Sequence, residues 1–161
     1  MQLGIIAVGR MRGASEMPLV EDFHRRIEDS GRQLGISGLS ILELREKRGL
    51  TGGEKKRSEN ALIADALARR NGPLIVLDET GKSLTSLAFA DRLQGWIERG
   101  DSDVTFVIGG ADGLDDTIRA RADMVLSFGP MTWPHMLARV LLCEQIWRAV
   151  SILTRHPYHR D

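Results

Sequence analysis

Five short runs of apolar residues, separated by stretches with helical spacing, constrain this chain more than any other feature. The runs are Gln2–Val8 (QLGIIAV), Leu39–Leu44 (LSILEL), Leu74–Leu77 (LIVL), Val104–Ile108 (VTFVI) and Met124–Phe128 (MVLSF). Apart from a few polar residues they are continuous, where a strand with one wet face would alternate. Strands of this kind are expected when helices cover both faces of a parallel sheet. Between them lie candidate helices. Met17 to Gln33 places Leu19, Val20, Phe23 and Ile27 on one side and stops at Gly31. Glu54 to Arg70 carries Ala61, Leu62, Ala64, Leu67 and Ala68. A third runs to about Arg99, capped by Ser83 or Thr85. A short one spans about Asp115 to Ala122, and a long one ends at Leu153. Strict alternation of strand and helix predicts an α/β fold, a parallel sheet flanked by helices. A chain of 161 residues is long enough to bury a core as one domain, 1–161, without disulfides or metals.

The same residues exclude several classes of protein. Cys143 is the one cysteine, so no disulfide framework and no CxxC metal cluster can form, which fits a reducing cytoplasmic setting. Met1 to Val8 lacks the basic flank of a signal peptide. The longest apolar segment, Met136 to Leu153, is broken by Arg139, Glu144, Gln145 and Arg148, so no membrane span is expected. The 22 basic residues balance 22 acidic ones. The ends of the chain are mildly basic and the middle is acidic. A nucleic-acid partner must therefore be met by local patches: Arg10 and Arg12, Arg45 to Arg48, Lys55 to Arg57, and the C-terminal tail.

In open parallel sheets, ligands bind beyond the carboxyl ends of strands. Those ends are Gly9, Asp78, Gly109 and Gly129. Gly81-Lys82-Ser83 resembles the close of a phosphate loop, but the glycine required five positions earlier is Val76, so a nucleoside triphosphate site is rejected. Gly109-Gly110-Ala111-Asp112-Gly113 is not a dinucleotide fingerprint. It is either a tight turn or a place where a ligand approaches the backbone. His156 and His159 are too few for a zinc site, and no metal is expected. In the last helix Thr132 is the expected N-cap, with Pro134 in the first turn. Projected at 100° per residue, that helix is apolar around most of its circumference. This predicts burial in a core or in a subunit interface. Cys143 lies in its apolar stripe and is expected in the core. Arg139 falls inside the apolar arc and needs a carboxylate or several acceptors. Glu144 and Arg148 have the spacing of an ion pair.

Several segments together resemble the ribosomal large subunit methyltransferase H family of the SPOUT superfamily. They are Ile6-Ala-Val-Gly9, Leu77-Asp-x-x-Gly-Lys82, Val107-Ile-Gly-Gly-Ala-Asp-Gly-Leu114, Leu126 to His135 (LSFGPMTWPH), Arg139 to Ala149 (RVLLCEQIWRA) and Tyr158-His-Arg160. They occur in order over essentially the whole chain. One departure is Trp147, where relatives often carry Tyr. The resemblance implies a parallel α/β fold with a C-terminal trefoil knot, a homodimer, and S-adenosylmethionine as methyl donor. It implies a reaction at N3 of a pseudouridine in helix 69 of 23S ribosomal RNA, within the assembled ribosome. By motif it assigns cofactor binding to Leu77, Gly109 and the loop Phe128, Gly129, Pro130, Met131, Thr132 and Trp133. It makes His135, Tyr158, His159 and Arg160 the candidates at the reacting base, with the tail of one subunit closing over the cofactor of the other. His135 has a competing reading as a structural residue at a helix start.

Overall fold

The computed structural model describes residues 1–46 and 49–160. Lys47 and Arg48 of the second basic loop, and Asp161 at the end of the tail, lie outside the described residues. In chain order the elements are β1 (Gln2–Val8), α1 (Met17–Gly31), a 3-10 turn (Arg32–Leu34), β2 (Gly38–Leu44), α2 (Gly52–Leu67) and β3 (Leu74–Ser83). Then come α3 (Ser86–Glu98), β4 (Asp103–Ile108), α4 (Asp116–Arg121), β5 (Met124–Ser127) and α5 (His135–Leu153). The five strands form one sheet in the order β2-β1-β4-β3-β5, and every neighbouring pair is parallel.

Two cores explain the continuous apolar runs. Alternate residues of each strand face opposite helical layers. Leu3, Ile5 and Ala7 of β1, Ile75 of β3 and Val104, Phe106 and Ile108 of β4 pack with α1, α3 and α5. Ile6, Val8, Leu74, Val76 and Val107 pack on the other face with Ile63 and Leu67 of α2 and Ile118 of α4. The arc of α5 is used inside the chain. Val140, Leu142, Cys143, Ile146, Trp147, Ala149 and Val150 are buried in the layer it shares with α1 and α3.

Two helix starts, those of α3 and α4, are capped by side chains. Thr85 accepts the Ala88 N–H at 3.1 Å, and Asp115 accepts the Ile118 N–H at 2.9 Å, each satisfying an orphan donor. The expected cap at Thr132 is not made. α5 begins at His135, with Pro134 extended in the capping position (ψ 133°) and no side-chain cap. A residue preceding proline is pushed out of the helical region. Trp133 is therefore barred from the helix, and Thr132 cannot reach its first turn.

The third strand is longer than its apolar run. It pairs with β5 through Leu77, leaves the ladder, and rejoins so that Lys82 also faces Leu126 and Ser83 faces Ser127. At the rejoining point two backbones almost touch. A Cβ on Gly81 would lie 2.8 Å from the Leu126 and Val125 carbonyl carbons, so only glycine fits. Gly81, Lys82 and Ser83 are thus strand residues, which is why they wrap no phosphate. This tight crossing of β3 over β5 is compatible with the C-terminal knot that the resemblance implies.

Candidate active site

The carboxyl ends of β3, β4 and β5 open into a cleft of about 700 Å³, within the usual range for a small-molecule site. Its lining combines apolar Leu77, Ile108, Leu114 and Leu126 with the whole Gly109–Gly113 loop and every residue of the segment 128–134 except Pro130. Its polar residues include Lys56, Asp78, Glu79, Asp112 and Arg119.

Each part is held by specific bonds. Asp78 accepts the Thr80 N–H at 2.9 Å, the Thr80 hydroxyl at 2.6 Å and Arg119 Nη1 at 3.1 Å. Burial pushes the Asp78 carboxyl up, but the Thr80 bonds and Arg119 outweigh it and leave it below the usual carboxylate range. The Ser127 hydroxyl lies 3.1 Å from the Glu79 carbonyl and accepts the Gly129 N–H at 3.0 Å. It ties the start of the Phe128–Pro134 segment to the excursion of β3. On the other side, Asn60 of α2 holds the end of the glycine loop. Its Oδ1 accepts the Asp115 N–H at 2.9 Å, and its Nδ2 reaches the Gly113 carbonyl at 3.4 Å.

His135 reaches the cleft as the first residue of α5. Its Nε2 would lie 3.0 Å from a Cβ on Gly9, so the end of β1 supports the ring. One turn on, Arg139 is fully buried. Nη1 bonds Glu43 of β2 at 2.6 Å, and Nη2 bonds the Gly9 carbonyl at 2.9 Å and the Val8 carbonyl at 3.4 Å. The same Glu43 oxygen accepts the Met11 N–H at 2.9 Å. The carboxylate and acceptors that a trapped cation requires are present, and they fix the β1–α1 turn against His135.

The tail docks elsewhere. Tyr158 donates its hydroxyl to Glu144 at 3.0 Å, and Arg148, bonded to the same Glu144 oxygen through Nε at 2.9 Å, sits over the Tyr158 ring at 4.9 Å. Arg148 Nη1 meets His159 Nδ1 at 3.4 Å. Arginine only donates, so Nδ1 is the acceptor in that contact. The Trp147 ring lies 5.1 Å from His156 and 5.5 Å from Tyr158. Burial and the bond to Glu144 push the Tyr158 phenol up, so it is a donor and not a base at neutral pH. Among the described residues no group of three or more His, Cys, Asp or Glu is placed to hold a metal ion. None of their helices is long and apolar enough to cross a membrane.

A family model described as "Predicted SPOUT methyltransferase" matches residues 1–159. The chain belongs to the SPOUT methyltransferase family. It is 46% identical over 160 residues to the ribosomal RNA large subunit methyltransferase H of Dinoroseobacter shibae. The proteins of that name from Rhodopseudomonas palustris and Cereibacter sphaeroides are 47% and 48% identical. In each case 99% of both chains is covered.

Within this SPOUT domain the residues assigned by motif fall into two groups. Leu77, Gly109, Phe128, Gly129, Met131, Thr132, Trp133 and His135 all line the cleft, whereas Pro130 does not and is exposed. Tyr158, His159 and Arg160 are not in it. They belong to the far end of α5, and from His135 to Arg148 the helix rises about 20 Å. Arg119, Asn60 and Ser127 were not singled out from the sequence, whereas Asp78 was placed at a strand end where ligands bind and Lys56 in a basic patch. A hydroxyl just before Gly129's turn was the available signal for Ser127. Nothing local marks Asn60 or Arg119, which arrive from α2 and α4.

Proposed function

We propose that this SPOUT methyltransferase uses S-adenosylmethionine to methylate N3 of a pseudouridine in helix 69 of 23S ribosomal RNA. It acts on assembled ribosomes in the cytoplasm, as a homodimer of single-domain subunits. The observation that carries this reading is the cleft at three strand ends, in a chain that matches proteins named for ribosomal RNA methylation over 99% of its length. The lining suits the cofactor: apolar Leu77, Ile108, Leu114 and Leu126 for a purine face, and the backbone of a glycine loop for its edge. Met131 and Trp133 stand 71% and 42% exposed at the cleft, as apolar residues awaiting a cover would.

The cofactor supplies a methyl group on a sulfonium, so electrophile and leaving group arrive together. The chain must orient the two reactants, exclude water and take the N3 proton. We assign proton removal to His159, whose Nδ1 takes the proton once the substrate has drawn Arg148 off it, and the holding of a phosphate or ring oxygen to Arg160. Tyr158, bonded to Glu144, orders the tail, and His135 lies at the cleft where a base would meet the methyl. His159 docks on Arg148, about 20 Å along α5 from His135, and this separation supports a site completed by the tail of a second subunit. The exposed Arg10, Arg12 and Arg45, with Lys56 at the cleft, supply local positive charge for RNA.

The test is to offer labelled S-adenosylmethionine with intact ribosomes, free 23S RNA or transfer RNA, then map the label. Label at one pseudouridine of helix 69, strongest on ribosomes, is expected; label on transfer RNA alone would overturn the substrate assignment. Mixed dimers test the composite site. A subunit with a filled cleft (Gly109→Leu) and a subunit with a mute tail (His159→Ala) should together recover about a quarter of wild-type turnover on random reassociation. No recovery would refute the trans arrangement.

A further inference from the structure

Glu59 of α2 is only 1% exposed, yet neither carboxylate oxygen accepts a hydrogen bond. Its one cation, Lys55, is 3.6 Å away and lies closer to Glu46, at 3.2 Å. A buried carboxylate so poorly compensated is costly, and it persists where it does something else. What it touches is the cleft loop. A Cβ on Gly110 would sit 2.4 Å from Glu59 Oε2, so the carboxyl group is packed directly against this glycine. Gly110 lines the cleft, and Glu59 itself does not. Among the described residues the Gly110 and Ala111 N–H groups bond no acceptor. The neighbouring Asn60 fixes the other end of the loop with its bonds made. Burial pushes the Glu59 carboxyl up, and Lys55 beside it acts in the opposite direction. Two successive residues of α2 thus pack on the loop, Asn60 through hydrogen bonds and Glu59 through its buried carboxyl group.

We propose that Glu59 is a positioning residue whose charge, acting through the backbone of the Gly109–Gly113 loop, makes the cleft prefer a cationic adenosyl ligand over its neutral counterpart. This rests on reading the cleft as the S-adenosylmethionine site. The chemistry that distinguishes the two ligands is simple. The cofactor carries a sulfonium, and the product, S-adenosylhomocysteine, is a neutral thioether of nearly the same shape. A fixed negative charge with little competing solvent distinguishes them by charge alone. Of the charged residues on the cleft, Asp78, Glu79 and Asp112 add to the field, while Lys56 and Arg119 oppose it. The consequence for turnover is that product leaves a site built to hold its charged precursor.

Calorimetric titration of the purified full chain with three ligands tests this. They are S-adenosylmethionine, S-adenosylhomocysteine, and the amine analogue sinefungin, whose ammonium replaces the sulfonium. In Glu59→Gln, the two cationic ligands should bind about tenfold more weakly, the scale of one unit charge acting from roughly 12 Å at an effective dielectric constant of about 20. The neutral ligand should change by less than about twofold. Glu59→Asp, with the carboxylate drawn back, should show the same selectivity at about half that size on a logarithmic scale. Thermal melting without ligand reports whether each variant is folded, so Glu59→Asp decides the matter if Glu59→Gln is not. Equal weakening of all three ligands would reduce Glu59 to a packing support and overturn the inference, and so would three unchanged affinities. A wild-type chain that binds none of the three would instead remove the cofactor reading itself.

Discussion

The two ends of α5 are built on opposite plans. At its start, His135 enters an open cleft whose lining is largely backbone and apolar side chain, positioned by three strand ends. At its finish, the side chains of Glu144, Arg148 and Trp147 hold Tyr158 and His159. The first plan suits a ligand that must be enclosed and recognised by shape. The second suits groups that must be held out in a fixed pose for something that arrives from elsewhere. The contrast predicts that stability and cofactor binding reside at the first end and turnover at the second.

The largest effect should come from Arg139. Replacing it by Leu strips a fully buried cation from Glu43 and leaves the Val8 and Gly9 carbonyls without a partner. The expected cost is about 3 kcal/mol in urea unfolding, with weaker S-adenosylmethionine binding because the turn that supports His135 is released. If Arg139→Leu were as stable as wild type, Glu43 and the two carbonyls would have to be satisfied by something else, and the first end would lose its anchor. Next is His159→Ala. Turnover on ribosomes should fall about 100-fold, the ordinary scale of a lost general base, with cofactor affinity nearly intact. A His159→Ala enzyme with unchanged turnover would break the assignment of chemistry to the tail.

Much of this contrast was legible in the chain. The continuous apolar runs required a doubly covered parallel sheet, and Arg139 inside an apolar arc required a carboxylate. Glu144 and Arg148 stood at ion-pair spacing, and they are paired. The identity of Arg139's partner was not legible, because Glu43 lies on β2 and comes close only through sheet order. Nor was the length of β3, since its second half pairs with β5 by a polar excursion that carries no apolar signal. The start of α5 was misread because a capping residue was credited over the restriction that Pro134 places on Trp133. Glu59 was hidden inside a helix whose sequence looks solvated. The motif resemblance named both groups of site residues, but only the fold shows that a helix length separates them.

Asp78→Asn probes the cleft wall with a smaller effect. The folded Asp78 carboxyl titrates below the ordinary carboxylate range, so its contribution is present above the unfolded value and is lost as pH falls through the still lower folded value. At neutral pH the variant should lose about 1–2 kcal/mol, the worth of hydrogen bonds to a charged group. The two proteins should converge in stability as the solution becomes more acidic than that folded value. Unfolding curves from neutral pH down to pH 2 would check this. A gap that widens with acid would contradict the bonds from Thr80 and Arg119.

The smallest effect should be at Cys143, on the buried side of α5 next to Glu144. Cys143 is fully buried, and burial pushes its thiol up to about 12, against the opposing field of Arg139. The native thiol should therefore resist iodoacetamide at pH 8 and react only after unfolding. Cys143→Ala removes one buried sulfur and should cost about 1 kcal/mol, with cofactor affinity and turnover both within twofold of wild type. That null result carries weight. If the middle of the helix can be altered without touching either function, then α5 acts as a rigid spacer, and the two ends meet only across subunits. A Cys143→Ala chain that kept its stability but lost turnover would mean that the helix itself couples cleft to tail, and the separation drawn between its ends would not hold.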